Sequence, residues 1–507
     1  MKHLERRAVM HNLSILIAAS EVVPFAKSGG LADVAGALPK ALAALGHDVR
    51  VVMPCYASID KALYGLKPLE GALGVPMGVM GEAWAGVYES VLPQSTVKIY
   101  FIEHQGFFGR KGLYDEEGQG YADNDNRFIF FSRAVMQLAK KLRFRPDVIH
   151  VNDWHTALIP VLLNTVYAND ADFKGTGTLL SLHNLQHQGK FYKGAMDVLG
   201  VGWEHFNASE LEEYDGVNFL KGGIVHADAF NAVSQKYAQE ICTPEFGWGL
   251  DGLIRDKSYK LYGIVNGVDY EEWSPAVDTF IPARFDSDDL SGKAVCKEAL
   301  QHRFGLAVKS DVPLIGFVGR LAEQKGIALI ATIIEKLLQL ELQIVLLGAG
   351  EKWAEHFFSQ LASRYPSKFA CYIGYDNELA HTIEAGSDLF LMPSLFEPCG
   401  LNQIYSLRYG TVPIVRATGG LDDTIENYNS ANRSGTGFKF YDATPEALQA
   451  TVEWAVDTWY HDKEGFKKLR DNGMLQRFSW HEAAIAYENL YRHIVAGRHG
   501  SKEQESR

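Results

Sequence analysis

The nine residues from Pro393 to Leu401, Pro-Ser-Leu-Phe-Glu-Pro-Cys-Gly-Leu, follow an apolar strand-like run and precede a helical segment to about Tyr409. They set Glu397 at a strand end, just ahead of a helix N-terminus where a carboxylate is electrostatically favoured. A plain capping glutamate is the competing explanation, but Pro393, Pro398 and Gly400 constrain this loop more than a cap requires. Upstream, the run Pro313–Val318 leads into Gly319-Arg320-Leu321 and then Glu323-Gln324-Lys325-Gly326 at a helix start. Arg320 and Lys325 can bracket an anion there, one as a planar fork and the other as a point charge. A solvated loop is the alternative. Thr418-Gly419-Gly420, after a further strand, is an amide-rich turn of the kind that accepts phosphate oxygens.

The first half carries a second set. Lys27-Ser28-Gly29-Gly30-Leu31 follows the first strand and opens a helix, so the glycines allow close backbone approach and helix amides point at a ligand. It is neither G-x-G-x-x-G nor a Walker A loop, and a tight turn with a surface lysine is the other reading. His150-Val-Asn-Asp-Trp-His155 and Leu182-His-Asn-Leu-Gln-His-Gln-Gly189 end neighbouring strands. An acid, an aromatic ring, imidazoles and amides together suit a sugar, whose hydroxyls need planar donors and acceptors and whose faces need an aromatic surface. The histidines lack H-E-x-x-H spacing and no cysteine pair accompanies them, so no metal is expected.

These loops need a scaffold that gathers strand ends. Short Val, Ile and Leu runs alternate with helical segments, the pattern of parallel sheets built from βαβ units. Strands are expected at Leu13–Ala19, Asp48–Met53, Val97–Ile102, Asp147–Val151, Thr178–Leu182 and Ala229–Val233, with helices near Leu31–Leu45, Phe128–Leu142 and Trp154–Tyr167. A turn at Asn266-Gly-Val-Asp269 and an aperiodic stretch from Asp278 to Lys293 mark a linker. The alternation then restarts with strands Pro313–Val318, Gln343–Leu347, Ala370–Ile373, Asp388–Met392 and Val412–Val415 and helices Gly326–Leu340 and Trp353–Arg364. Ala447–Tyr460 and Trp480–Ala496 read as closing helices before a polar tail from Gly497. Two doubly wound α/β domains are expected, with ligands in a cleft at the carboxyl ends of both sheets.

Composition bounds the chemistry. The 507 residues carry 49 Lys and Arg against 62 Asp and Glu, a net charge of -13, so no overall field favours a nucleic acid and any phosphate must be held locally. Five cysteines, an odd number without a C-x-x-C pair, fit reduced thiols in a cytosol. Lys2, Arg6 and Arg7 ahead of Leu13–Ala19 imitate a weak signal peptide, but polar residues interrupt the run, and no stretch reaches the roughly 18 apolar residues a membrane span needs. A short loose leader of about a dozen residues on a cytoplasmic protein is the expectation.

Taken together, Lys27–Leu31, His150–His155, His183-Asn184, Asn266–Asp269, Gly319–Leu321 with Gln324–Gly326, Glu397–Leu401 and Thr418–Gly420 closely resemble the bacterial glycogen synthases and plant starch synthases, from about Leu13 to Tyr491. The resemblance implies a GT-B fold, two Rossmann-like domains facing an interdomain cleft, and retaining transfer of glucose from ADP-glucose, a substrate and not a cofactor, to the non-reducing end of an α-1,4-glucan. It implies an acceptor-side domain over 1–262, a nucleotide-sugar domain over 263–480, and a helix within 481–507 that returns to the first domain. By motif, Lys27, Gly29 and Gly30 lie near the diphosphate and sugar, and Arg320 and Lys325 neutralise the departing diphosphate. Glu397 is the active-site glutamate, and His183 contacts the transferred sugar. Asp153 and Asn266 position hydroxyls, Cys399, Gly400 and Leu401 line the sugar or phosphate, and Thr418, Gly419 and Gly420 add phosphate-binding amides. Retention by a covalent carboxylate intermediate and by front-face attack both remain open, the resemblance favouring the second. Ser28 stands where threonine is frequent, and Tyr405 where many GT-B enzymes place a second glutamate, which leaves ribose recognition without its carboxylate. A nucleotide-sugar epimerase and a glucan-binding protein without turnover are the rival readings. Base preference, acceptor length and oligomeric state are not written in these residues.

Overall fold

The computed structural model describes residues 11–116 and 118–505, with side chains as far as 498. Residues 1–10 of the expected leader lie outside the described residues. The chain forms two compact units. One holds the residues up to Ala232, Ile241–Ile264 and the chain from Trp480 onward; the other holds Val233–Glu240 and Val265–Ser479. The segment 233–240, expected in the first domain, belongs to the second because Lys236 N donates to Asp423 Oδ2 at 2.8 Å and Glu240 accepts from Gly419 N at 3.1 Å.

The first unit is built on strands β1 (Ser14–Ala18), β2 (Asp48–Pro54), β3 (Glu82–Val91), β4 (Lys98–Glu103), β5 (Val148–Asn152), β6 (Gly177–Leu182), β7 (Ala229–Ala232) and β8 (Leu261–Gly263). Their order is β8-β7-β6-β5-β1-β2-β4-β3, all parallel except β3. Strands β5 and β6 are buried along their whole length, as expected where helices cover both faces of a parallel sheet. The antiparallel edge of β3, Lys67–Pro68 and Leu73–Pro76 adds to the expected strands: the last two span only two and four residues, and β3, ten residues long, shows no clean alternation of buried and exposed positions. The helix expected over Trp154–Tyr167 is confined to Leu158–Asn164, since the preceding residues turn away from a left-handed Asp153 at φ 52°.

The second unit holds β9 (Leu314–Val318), β10 (Gln343–Gly348), β11 (Phe369–Ile373), β12 (Leu389–Met392), β13 (Val412–Arg416) and β14 (Phe438–Phe440) in the order β11-β10-β9-β12-β13-β14, all parallel. That is the 3-2-1-4-5-6 order of a dinucleotide-binding sheet, and the parallel strands of the first unit share its centre. The order reverses between β1 and β5 in one unit and between β9 and β12 in the other. At such a reversal the loops leaving adjacent strands part to opposite faces, opening a crevice at the carboxyl edge. The supposed linker ends in a helix, Ser291–Arg303, whose Lys293 and Lys297 reach buried carbonyls and so disguise its apolar face. Helices Asn377–Gly386 and Lys463–Leu475 add to those expected from the sequence.

The last helix, Trp480–Glu505, continues through the expected polar tail. It is tied to the first unit's sheet by a buried relay. Tyr491 donates to His150 Nδ1 at 2.8 Å, His150 Nε2 to Ser181 Oγ at 2.7 Å, Ser181 to Asn231 Oδ1 at 2.6 Å, and Asn231 Nδ2 to Tyr487 at 3.1 Å. Every donor has an acceptor only if His150 is neutral with its proton on Nε2. Burial agrees, holding its pKa down to about 3. His150, grouped above with sugar-facing residues, is therefore structural. Tyr491→Phe should cost about 1–3 kcal/mol by leaving a buried acceptor unpaired, read as a lower urea midpoint. The unfolded chain protonates His150 near pH 6.5 and the folded one only near 3, so this residue's contribution is complete above pH 6.5 and lost on acidification toward 3. Wild-type urea midpoints should fall across that window.

Candidate active site

At the second unit's strand reversal, the loops after β9 and β12 interlock. Leu395 N donates to Gln324 O at 2.8 Å, Gln324 Nε2 to Phe396 O at 3.2 Å, and Asn402 Nδ2 to Val318 O at 2.9 Å. Gly326, at φ 70°, must be glycine: a Cβ there would stand 2.1 Å from Pro393 O. This lattice fixes Lys325 Nζ 2.5 Å from Glu397 Oε2, with Ser394 Oγ donating to the same oxygen at 2.9 Å. Glu397 is buried and Lys325 partly so, whereas Arg320 is exposed with one guanidinium nitrogen 3.1 Å from Gln324 Oε1. The structure thus pairs Lys325 with Glu397 and joins Arg320 to the same loop lattice through Gln324.

Around it, Gly400 takes φ 72°, and the helix Asn402–Arg408 starts at Leu401 with no side chain capping its first amides. Burial pushes the Cys399 thiol up to about 12, so it is not a thiolate nucleophile. Asn266 is buried, and its Oδ1 has no protein partner. The Thr418–Gly420 expectation needs correction. Thr418 N donates to Arg416 O at 2.9 Å, Gly420 N to Glu397 O at 3.0 Å, and Gly419 N to Glu240 at 3.1 Å. A carboxylate from the chain itself holds this turn, leaving no amide for phosphate. Tyr405 stacks on Trp273, centroids 3.9 Å apart, and Trp273 on His381 at 3.6 Å.

At the first unit's reversal, buried Glu21 organises the glycine turn. Its carboxylate accepts from Ser28 N, from Ser28 Oγ at 2.7 Å, from Gly29 N at 3.2 Å and from Tyr114 at 2.6 Å. Sequence reasoning missed Glu21 and Tyr114, since neither lies in a recognisable motif. Lys27, half exposed, pairs with Asp33 at 2.7 Å. A Cβ added at Gly29 or Gly30 would meet nothing within 4 Å, so packing does not demand glycine at either position.

Across the reversal, Asp153 Oδ1 accepts from His183 N at 2.7 Å, clamping the loop after β6 to that after β5. Burial, partly opposed by the amides of His183 and Asn184, pushes its pKa up to about 7. Asn152 Nδ2 donates to Ala18 O at 3.1 Å, which leaves Oδ1 to accept from His183 Nε2 at 2.9 Å. His183 is consequently the Nε2–H tautomer with Nδ1 as an acceptor, and burial holds its pKa down to about 3. Beside it lies a cavity of about 390 Å³ lined by Trp154, Gln186, His187, Gln188, Phe191 and Trp248. Of the described residues, one trio, His205, Glu210 and His226, has metal-ligand spacing, and it includes none of the residues above.

Residues 14–256 match the model of the starch synthase catalytic domain, and residues 299–473 that of the glycosyl transferases group 1. Glycogen synthase 1 of Geobacter metallireducens is 56% identical over 494 residues, covering 97% of this chain and 98% of that protein. The chain belongs to the glycogen and starch synthase family. The glycogen synthase of an Anaeromyxobacter species is 48% identical, covering 96% of this chain and all of that one. Among solved structures, the catalytic domain of starch synthase IV from Arabidopsis thaliana, bound to ADP and acarbose, superposes with TM-score 0.88 at 33% identity, covering 96% of this chain and 100% of that one. A sucrose-phosphate synthase from Thermosynechococcus elongatus shares the fold, with TM-score 0.59 at 16% identity over 96% of this chain and 100% of its own. The fold is of GT-B type, with two Rossmann-like units, and the family is one of glycosyltransferases.

The two glycine turns should respond oppositely to alanine. Gly420→Ala would place Cβ 1.9 Å from Cys399 O and should lower the melting temperature sharply. Gly30→Ala meets open space at a helix start, so its melting temperature should stay at or above that of the wild type while turnover falls.

Proposed function

We propose that the chain is a retaining glucosyltransferase that moves glucose from ADP-glucose to the non-reducing end of an α-1,4-glucan. The observation that carries this reading is the Arg320, Lys325 and Glu397 cluster, two cations and a carboxylate at the strand reversal of a dinucleotide-type sheet. The relatives add the substrate: glycogen synthases give the glucan, and the starch synthase bound to ADP gives the nucleotide.

In this reading the bond from glucose C1 to the β-phosphate oxygen breaks, and a bond from C1 to the acceptor hydroxyl oxygen forms on the same face. The acceptor proton passes to the departing phosphate. Lys325 and Arg320 meet charge that grows on ADP only as the bond breaks, which favours the transition state over the bound substrate. Glu397 holds Lys325 in place beforehand and stands beside the sugar as C1 becomes cationic. His183 is too weak a base to be protonated near neutrality, so Nδ1 accepts from a glucosyl hydroxyl and takes no proton. Asp153 acts through His183 as a positioning residue. Gly29 and Gly30 leave room for the diphosphate and sugar beside Lys27, whose pair with Asp33 it gives up to phosphate. Asn266 Oδ1, Cys399, Gly400 and Leu401 line the donor sugar, and the aromatic and amide lining of the 390 Å³ cavity suits glucan residues of the acceptor.

No helix of the described residues is long and apolar enough to cross a membrane, and its five cysteines are free. A cytoplasmic setting, where nucleotide sugars are made, belongs to the same reading.

The test is incubation with glycogen and ADP-glucose or UDP-glucose, following glucose incorporated and nucleotide released. ADP release should require glucan, match incorporation and persist with chelator. Free glucose without chain growth would instead indicate a hydrolase or epimerase. Glu397→Ala and Lys325→Ala should each lower kcat by about 10²–10³-fold or more in folded protein, and wild-type rates would remove those roles.

A further inference from the structure

We infer that His205, Glu210 and His226 form a site for one divalent transition-metal cation, zinc by the chemistry of its donors. Glu210 Oε2 lies 2.7 Å from His205 Nδ1 and 2.9 Å from His226 Nε2, and the three ligand atoms fall within 4.8 Å of one another. Two imidazole nitrogens and one carboxylate oxygen are a borderline-soft set that suits zinc, whereas magnesium and calcium prefer oxygen alone.

The three donors come from separate pieces of backbone that are already held. His205 ends the turn Trp203–His205, Glu210 lies in the loop that follows, and His226 ends the helix Phe219–His226. The loop is fastened by Lys221 Nζ, which donates to Ala208 O at 2.7 Å and to Glu212 O at 2.5 Å. The helix end is fastened by Asn164 Nδ2, donating to His226 O at 2.7 Å. Glu210 Oε1 accepts from Asn207 Nδ2 at 3.1 Å, which orients the carboxylate and leaves Oε2 to the histidines. Such outer contacts fix ligand direction in metal sites.

Bonds of about 2.0–2.1 Å in tetrahedral geometry put ligand atoms about 3.3 Å apart, so Oε2 must recede by about half an ångström. Each imidazole can present the required lone pair by carrying its proton on the other ring nitrogen. The side chains are 23%, 25% and 12% exposed for His205, Glu210 and His226, which gives the ion a path inward and leaves room for a water as fourth ligand. The Lys260 ammonium, near His226, opposes a cation, but it is turned onto Val225 O at 2.9 Å and Ala227 O at 2.6 Å. The ion would fasten the 203–210 loop to the helix end. Glu213, just beyond that loop, pairs with Lys190 of the cavity wall at 3.0 Å, so the site bears on the rigidity of that wall. It is separate from the transfer chemistry proposed above.

The experiment uses the full chain without an affinity tag, stripped with chelator and dialysed, then titrated with zinc chloride by calorimetry. One equivalent should bind and the melting temperature should rise. Cobalt in its place should give visible bands of four-coordinate intensity. Because Glu210→Gln keeps an oxygen for one histidine, it should fold and bind zinc about 10–100-fold more weakly or worse, with His205→Ala at least as weak. His302→Ala, on an exposed surface, should bind like the wild type. The inference is overturned if the wild type shows no saturable zinc binding, or if Glu210→Gln and His205→Ala retain its affinity and stoichiometry.

Discussion

The pairing of Lys325 with Glu397 is the interaction on which the carboxyl edge of the second unit's sheet depends. Removing one partner of a buried ion pair costs about 3–5 kcal/mol, and such pairs persist where the surroundings enforce their geometry. Here enforcement comes from backbone. The loops after β9 and β12 exchange hydrogen bonds through Gln324, and Gly326 admits Pro393 at a distance no side chain would allow. The turn after β13 closes on the same loop, with Gly419 and Gly420 packed against the carbonyls of Glu397 and Cys399. A lysine and a glutamate in contact would ordinarily neutralise each other. Held at the sheet's carboxyl edge, with Arg320 tied to the same loops through Gln324, they are the group that the proposed function assigns to the diphosphate.

The first unit is organised by the same logic with opposite charge. Glu21 binds two amides of its glycine turn, as Glu240 binds the Gly419 amide and the Thr418 hydroxyl. In both places a buried carboxylate holds amide donors that a motif reading assigns to phosphate. In the first unit, however, open space beside Gly29 and Gly30 remains on the other side of the turn. Asp153 and Asn152 carry the order onward to His183, fixing its tautomer as well as its position.

Much of this was legible in the residues because parallel sheets write themselves as apolar runs, and their ligands sit in the loops that follow. Glu397, Lys325, Arg320 and His183 stand out in the sequence by their position after a strand-like run. What was not legible depends on partners distant in the chain. Glu21 meets Tyr114 ninety-three residues away, and Glu240 meets Gly419 across 179. His150 shows the limit of motif reading: it lies within β5, not beyond its end, and faces the terminal helix instead of a ligand. The helix Ser291–Arg303 was hidden because its inward lysines are buried by hydrogen bonds to carbonyls, which no periodicity of apolar residues reveals.

In the proposed function, fixed cations of the second unit carry the nucleotide's diphosphate. The measurement closest to it is a crystal structure of the full chain with ADP. Its β-phosphate oxygens should lie within hydrogen-bond reach of both Lys325 Nζ and the Arg320 guanidinium, with the Thr418–Gly420 amides still on their protein partners. A diphosphate seated on other residues, with Lys325 and Arg320 both turned away from it, would rule that role out.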